Sequence, residues 1–118
     1  MPTFITQGRY TPDAVRGMLQ NPEDRAQAIA ELFEQSGGKL IGYYMTFGDH
    51  DFVVISEGPL EGVAVSTVVV EAMGEVTDLQ TSLAISSTEM KDALGRAGAI
   101  ASRFRTLGGA MPRAVASP

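Results

Sequence analysis

Apolar and polar residues follow two periods along the chain, and these periods predict seven elements. Alternation with a period of two is typical of strands, and spacing of three and four residues is typical of helices. The predicted order is strand, helix, strand, strand, helix, strand, helix, with the first helix in two pieces. The strands fall at 3–10, 39–47, 52–57 and 75–85, and the helices at 12–19 with 22–36, 60–73 and 87–107.

Short capping signals predict where the helices begin. Thr11 precedes Pro12, which combines a side chain that accepts from free backbone donors with a proline at the first helical position. Asn21-Pro22 repeats this signal and divides the first helix. Ser86 and Glu89 have the spacing of a capping box, which predicts the start of the last helix.

The segment 60–73 carries conflicting signals. Its five valines favour a strand, because β-branched side chains crowd a helix. Its length between Pro59 and Gly74, and the carboxylate of Glu61 in what would be the first turn, favour a helix. We predict a helix, and its nearly uniform apolar surface suggests contact with another subunit or with the last helix.

The predicted hairpin at 39–57 contains the one histidine of the sequence. Two β-prone runs flank the turn Gly48-Asp49-His50-Asp51, whose residue types tolerate tight-turn geometry. An imidazole and two carboxylates are therefore expected at one tip, near a pair of adjacent tyrosines.

The element order predicts an α+β, ferredoxin-like split βαβ fold (βαββαβ) with an additional C-terminal helix. We expect one domain over residues 1–107, including the helix 87–107, followed by a flexible tail at 108–118. Two helices cover one face of a four-stranded sheet and leave the other face bare. We therefore expect a homodimer or higher homo-oligomer. In it, two sheets face each other and form a dimeric α+β barrel. The residues expected on that bare face are Phe4 or Ile5, Tyr43, Phe47 and Leu83.

Composition narrows the classes of partner. The net charge of −5 argues against nucleic-acid binding, which needs a basic surface. Residues 1–85 hold 4 basic against 12 acidic side chains, whereas residues 86–118 hold 5 against 2, so the basic segment is expected to contact its own body or a sister subunit. The sequence has no cysteine, no signal-peptide pattern and no run long enough for a membrane span, and we expect a cytoplasmic protein.

The turn supplies the weak catalytic candidates His50 and Asp51. His50 would act as a general base oriented by Asp49 or Asp51, or it is simply a solvated turn residue. Asp51 is expected to accept backbone donors within the turn. Adjacent ligands rarely converge on one ion and no second histidine exists, so we predict no metal site and no cofactor.

The ligand-binding candidates are Tyr10, Tyr43, Tyr44 and Arg9. Tyr43 and Tyr44 are adjacent on a strand, so one faces the helices and the other the barrel interior. A tyrosine in an apolar pocket gives the site a polar group. Arg9 is the candidate partner for a ligand carboxylate, or else a surface ion pair.

Three motifs spread over residues 1–92 resemble the GYD-domain family. They are Met-Pro-Thr-Phe-Ile-x-x-Gly-Arg-Tyr-Thr-Pro at the start, Gly-Gly-Lys-Leu followed by Tyr-Tyr-x-Thr-x-Gly-x-x-Asp-x-Val-x-Ile in the hairpin, and Thr-Glu-Met-Lys in the last helix. The resemblance implies the dimeric α+β barrel superfamily, which includes cofactor-free monooxygenases, lactone isomerases and haem proteins. The family's tyrosine before the turn aspartate is His50 here, while Gly48 and Asp51 match.

Three functional hypotheses follow. The leading one is a small homo-oligomeric domain that binds a small apolar or aromatic ligand. The second is a cofactor-independent monooxygenase or isomerase with His50 as the base and with Tyr44 and Arg9 positioning the substrate. The third is a purely structural assembly protein.

Overall fold

A computed structural model describes residues 1–104. Residues Met1–Ala84 form one compact unit, and a second unit begins at Ile85 and contains the last helix. The elements in chain order are β1 (Thr3–Tyr10), α1 (Pro12–Gln20), α2 (Ala26–Gln35), β2 (Lys39–Met45), β3 (Phe52–Glu57), α3 (Leu60–Ala72), β4 (Val76–Ala84) and α4 (Ser87–Ala101).

The four strands form one sheet in the order β2-β3-β1-β4, with each neighbouring pair antiparallel. Helices α2 and α3 contact each other, and they contact the edge strands β2 and β4 respectively. The strand order and the helix positions confirm the predicted ferredoxin-like α+β fold.

The valine-rich segment is a helix, as predicted. Pro59 caps it in an extended conformation and Glu61 lies in its first turn. Gly62 of α3 approaches the carbonyl oxygen of Ser36 at the end of α2 so closely that a Cβ at this position would lie within 3.0 Å of that oxygen. Gly62 therefore lets the two helices lie close together, and this packing outweighs the strand propensity of the valines.

The start of the second helix was predicted wrongly. Residues 22–25 are not helical, and α2 begins at Ala26 rather than at Pro22. The carboxylate of Asp24 accepts the N–H of Ala26 at 2.9 Å, so it satisfies one of the donors at the true helix start. The residues before Ala26 form a linker whose last member, Arg25, is free to direct its side chain toward the sheet.

The hairpin between β2 and β3 is confirmed, although β2 ends at Met45 rather than at residue 47. Thr46 closes the connection: its N–H donates to the carbonyl of Asp51 at 2.8 Å, and its hydroxyl donates to the carbonyl of His50 at 2.7 Å. Phe47 lies beyond the strand and is fully exposed.

The predicted assignment of residues to the bare sheet face was wrong for several positions. Phe4 pairs with both Ser56 and Leu83, and Tyr43 pairs with Val54. Val54 lies beneath the helices, and alternation along β1 and β3 puts these pairs on the same, helix-covered face. Tyr43 and Leu83 are therefore not on the bare face.

The bare face instead carries Ile5 of β1, Val53 and Ile55 of β3, and Tyr44 of β2. Tyr44 is 61% exposed, and its ring lies along its own strand over Gly42. Thr3, Gln7 and Glu57 lie on the same face, so its apolar residues are grouped around the Ile5–Ile55 pair.

The predicted capping box of the last helix is confirmed. Ser86 Oγ accepts the N–H of Glu89 at 3.0 Å, and Glu89 Oε1 accepts the N–H of Ser86 at 3.1 Å. Helix α4 ends at Ala101 instead of residue 107, and after it the N–H groups of Arg103 and Phe104 donate to carbonyls three residues back, those of Ile100 and Ala101, instead of four. The predicted tail at 108–118 lies outside the described residues, and a single domain over 1–107 stays a prediction. Within residues 1–104, no helix has the length and apolar character needed to cross a membrane.

Candidate functional site

A cavity of about 190 Å³ lies between the sheet and helices α2 and α3. Most of its wall is aliphatic or aromatic, and a small group of polar side chains lies among these residues. The apolar wall comprises Ala28, Ile29, Leu32, Phe33, Phe52, Val54, Val63, Val69, Val70, Met73, Val76 and Leu79.

An irregularity in the pairing of β1 with β4 brings two residues of β4 to the cavity. The register shifts between Gln7 and Arg9, and opposite this shift Asp78 has a positive φ of 55°. This bulge lets Val76 and Leu79 both line the cavity, although they are three residues apart.

Gly8 provides space on the floor of the cavity. A Cβ at this position would lie 2.7 Å from Phe52 Cζ and 2.8 Å from Leu79 Cδ2. Because Gly8 has no side chain, the Phe52 ring can pack over β1, where its centroid lies 5.0 Å from that of the Tyr10 ring.

Two tyrosines form part of the polar group at the cavity. The hydroxyls of Tyr10 and Tyr43 are hydrogen bonded to each other, and the Tyr10 hydroxyl also donates to Met45 Sδ at 3.5 Å. Burial raises the pKa of Tyr10 above its usual value, and the hydrogen bond with Tyr43 raises it further. Both phenols line the cavity, so a ligand there meets hydroxyl groups that can donate or accept.

Asp51 fixes the end of β1 that carries Tyr10. Its carboxylate oxygen Oδ2 accepts the N–H of Tyr10 at 2.9 Å, and its own N–H donates to the carbonyl of Gly8 at 2.8 Å. The sequence prediction gave Asp51 a structural role within the turn. In the structure its carboxylate bonds to the neighbouring strand, so it connects the hairpin to β1 beside the cavity.

An ion pair also belongs to the polar group, as do the hydroxyls of Thr6, Ser66 and Thr67. Arg25 Nη2 lies 2.8 Å from Glu75 Oε2, and the two side chains are 21% and 37% exposed. Arg25 comes from the linker before α2 and Glu75 from the turn before β4, and both line the cavity. The hydrogen bond to Glu75 raises the pKa of Arg25, with smaller electrostatic contributions from Glu75, Tyr43 and Tyr10.

Sequence reasoning missed this pair. Arg25 and Glu75 are 50 residues apart and belong to no motif. The predicted elements placed Arg25 inside the helix 22–36 and Glu75 at the start of the strand 75–85, so no sequence signal brought them together.

The other predicted site residues do not line the cavity. His50 contributes its carbonyl to the turn, and Tyr44 lies on the bare face of the sheet. Arg9 lies 3.7 Å from Asp78, and both side chains are more than half exposed. Of the four predicted ligand-binding residues, the structure brings Tyr10 and Tyr43 together at the cavity and leaves Tyr44 and Arg9 outside it.

Side chains that could bind a metal ion are dispersed over the part of the chain that the structure describes. Among them, no three histidine, aspartate or glutamate side chains are grouped closely enough to hold a metal ion. Hydrogen bonding by hydroxyl side chains and ion pairing by Arg25 and Glu75 are among the interactions that the cavity offers.

Part of the chain is similar in sequence to a protein whose name states what that protein binds. It is the glutamine synthetase and cystathionine beta-lyase binding protein of Thermus thermophilus, which is 33% identical over 57 residues. The match covers 48% of this chain and 60% of the length of that protein.

Two solved structures are similar in fold. FFRP-DM1 has a TM-score of 0.45 at 19% identity, with 72% of this chain and 100% of that chain covered. TTHA0845 from Thermus thermophilus has a TM-score of 0.47 at 20% identity, with 74% of this chain and 96% of that chain covered.

The family model described as the GYD domain matches residues 4–94. This range includes β1 except for Thr3, the hairpin and the start of α4, and it overlaps all three sequence motifs. The match extends over more than half of the sequence, and the chain belongs to the GYD domain family.

Proposed function

We propose that this protein is a binding domain for a compact apolar or aromatic molecule, which it holds in the cavity between the sheet and helices α2 and α3. The observation that carries the proposal is the cavity itself, with its volume of about 190 Å³ and its mainly apolar wall. For comparison, an apolar cavity of about 150 Å³ accommodates benzene. A single aromatic ring with a short substituent therefore matches this volume.

The distribution of polar groups also supports ligand binding. Small-molecule sites are typically apolar, with a few polar groups that orient the ligand. Here Tyr10, Tyr43, Arg25 and Glu75 are the main hydrogen-bonding side chains among many aliphatic ones. A partly exposed ion pair is not needed for the packing of an apolar core.

Toluene is a suitable probe because it fits the volume and carries no charge. We expect toluene to raise the melting temperature of the protein and to shift the methyl NMR signals of the valines and leucines around the cavity. Val70→Phe fills the cavity and abolishes both effects. Val68→Phe is the matched control, since Val68 is on the same helix, is 68% exposed and does not line the cavity. Absence of any toluene effect on the wild type overturns the proposal.

Self-association is the second part of the proposal. Ile5, Val53, Ile55 and Tyr44 leave an apolar strip on the bare sheet face, and a two-fold dimer that apposes two such faces would bury it. Exposed apolar side chains on α3, such as Val65 and Val68, would favour further association.

Light scattering after size exclusion tests the self-association. We expect at least a dimer at micromolar concentration, and Val53→Lys should lower the measured mass of the assembly. Leu19→Lys is the control, because Leu19 is an exposed apolar residue on α1, outside the sheet. A wild-type monomer contradicts this part of the proposal and leaves the ligand-binding part intact.

The remaining hypotheses have less support. A cofactor-independent enzyme with His50 as base and Tyr44 and Arg9 at the substrate lacks a shared cavity, since none of the three lines it. Binding to another enzyme, as the name of the Thermus relative suggests for that protein, would use exposed surface rather than the cavity. A cytoplasmic location, expected from the sequence, stays part of the proposal.

A further inference from the structure

The Arg25–Glu75 ion pair retains unused hydrogen-bonding capacity. In the part of the chain that the structure describes, the one side-chain hydrogen bond made by either group is that between Nη2 and Oε2. A guanidinium has five N–H donors and a carboxylate has two acceptor oxygens, so most donors and acceptors of the pair are not used in the hydrogen bond between them. Further partners can therefore be added without breaking the existing contact.

The pair is also accessible. Besides lining the apolar cavity, Arg25 and Tyr43 line an open surface depression, whose other residues are Met18, Pro22, Glu23, Asp24, Ala26 and Met45. A ligand that fills the cavity with its apolar part can thus present a polar head to both charges at a place that solvent reaches.

We infer that the ligand is an α-amino acid with an apolar side chain. Its carboxylate binds Arg25, its ammonium group binds Glu75, and its side chain occupies the apolar cavity. The inference rests on the proposed ligand-binding function and adds the chemical class of the ligand. Adjacent opposite charges on the protein are complementary to the adjacent opposite charges of the amino-acid zwitterion.

Charge balance favours the zwitterion over simple acids or amines. Arg25 and Glu75 together carry no net charge, and a zwitterion adds none, so each of these partly buried charges has an opposite partner. A lone carboxylate would satisfy Arg25 but lie beside Glu75, and a lone amine would lie beside Arg25. Partly buried like charges in contact are unfavourable, because low-dielectric surroundings screen them poorly.

A phenyl series measured on the wild type by isothermal titration calorimetry tests the inference. The probes are L-phenylalanine, 3-phenylpropionate, 2-phenylethylamine and toluene, which share the ring and differ in the charged head. We expect L-phenylalanine to bind at least about 10-fold more tightly than either singly charged analogue. If toluene binds and L-phenylalanine binds no better than the acid or the amine, the inference is overturned while the proposed function survives. If no probe binds, both fail.

Variants of the two charged residues give an independent test. Arg25→Gln and Glu75→Gln should each weaken L-phenylalanine binding about 10-fold or more and change toluene binding less than 2-fold. Arg9→Gln and Glu71→Gln are matched controls at exposed positions outside the cavity, and we expect no effect on either probe. Unchanged toluene binding shows that the charge variants remain folded, and an undiminished affinity for L-phenylalanine in them overturns the inference.

Discussion

The close contact between α2 and α3 at Gly62 provides a quantitative test of how the roof of the cavity is built. A Cβ at Gly62 would lie within 3.0 Å of the carbonyl oxygen of Ser36, with Pro59 Cγ at 3.5 Å. The oxygen belongs to the backbone, and Ser36 is held at the end of α2 by hydrogen bonds from its N–H and its hydroxyl to the carbonyl of Leu32. In Gly62→Ala the helices must therefore separate rather than a side chain rotate.

The expected cost follows from two opposing contributions. Forcing one extra methyl group into a packed contact typically costs about 1–3 kcal/mol. Replacing a helical glycine by alanine returns up to about 1 kcal/mol through helix propensity. Gly17→Ala is the control, because Gly17 lies in α1 and a Cβ there has no neighbour within 4 Å. The difference between the two variants isolates the packing contribution.

Urea unfolding followed by circular dichroism, at one fixed protein concentration, measures both free energies of unfolding. We expect Gly17→Ala to be more stable than the wild type by up to about 1 kcal/mol. We expect Gly62→Ala to be less stable than Gly17→Ala by about 1–3 kcal/mol. Equal stability of the two variants would refute the close helix contact as described.

Three further predictions concern single groups. Asp78→Gly should retain or slightly raise the free energy of unfolding. Asp78→Val should lower it by about 1–2 kcal/mol, because a β-branched residue is strained at the positive φ. Chemical denaturation measures both free energies, and equal stabilities of the two variants contradict the bulge geometry. Difference absorbance titration of wild type against Tyr10→Phe should show the Tyr10 phenol ionising above its usual pKa of about 10. Since the folded pKa is the raised one, wild-type stability should fall as the pH rises above 10, and titration of Tyr10 at or below its usual value contradicts its burial. The hydrogen bond from the backbone N–H of Ser86 to the carboxylate of Glu89 lowers the pKa of Glu89. Its contribution to α4 is therefore present above the usual Glu pKa and is lost as the pH falls through the lowered value. Glu89→Gln should remove most of this pH dependence of helicity, and an identical acid titration of the two proteins contradicts the cap.

The elements were largely predictable because their signals are local. The bounds of β1 and β3 follow from alternation and from flanking turn residues, and α3 follows from its length and its proline start. The start of α2 was not predictable from Asn21-Pro22, since Asp24 supplies the side chain that accepts from the true first turn.

Alternation along the sequence could not predict on which face of the sheet each tyrosine of β2 lies. The pairing of β2 with β3 shifts between Leu40 and Gly42, so Leu40 and Tyr43 lie on the same face although they are three residues apart. Strict alternation from Leu40 would have turned Tyr44 toward the helices instead. Such bulges leave no dependable local signal, and one of them decides which phenol reaches the cavity.

The charged part of the site was beyond sequence reasoning for a different reason. Arg25 and Glu75 meet because the turn before β4 lies near the linker before α2, which is a property of the whole fold. The hairpin tip, with its histidine and two aspartates, looked richer in chemistry. Only Asp51 of that group acts near the cavity, through its hydrogen bond to the backbone of Tyr10.

A crystal structure of the protein grown or soaked with toluene would show whether a ligand enters the cavity. We expect electron density for the ring between the sheet and the two helices, in contact with Leu32, Val54 and Val70. The same soak of Val70→Phe should leave that position filled by the new side chain. A wild-type structure at saturating toluene in which this space is closed by rearranged side chains, with no ring inside, contradicts the account.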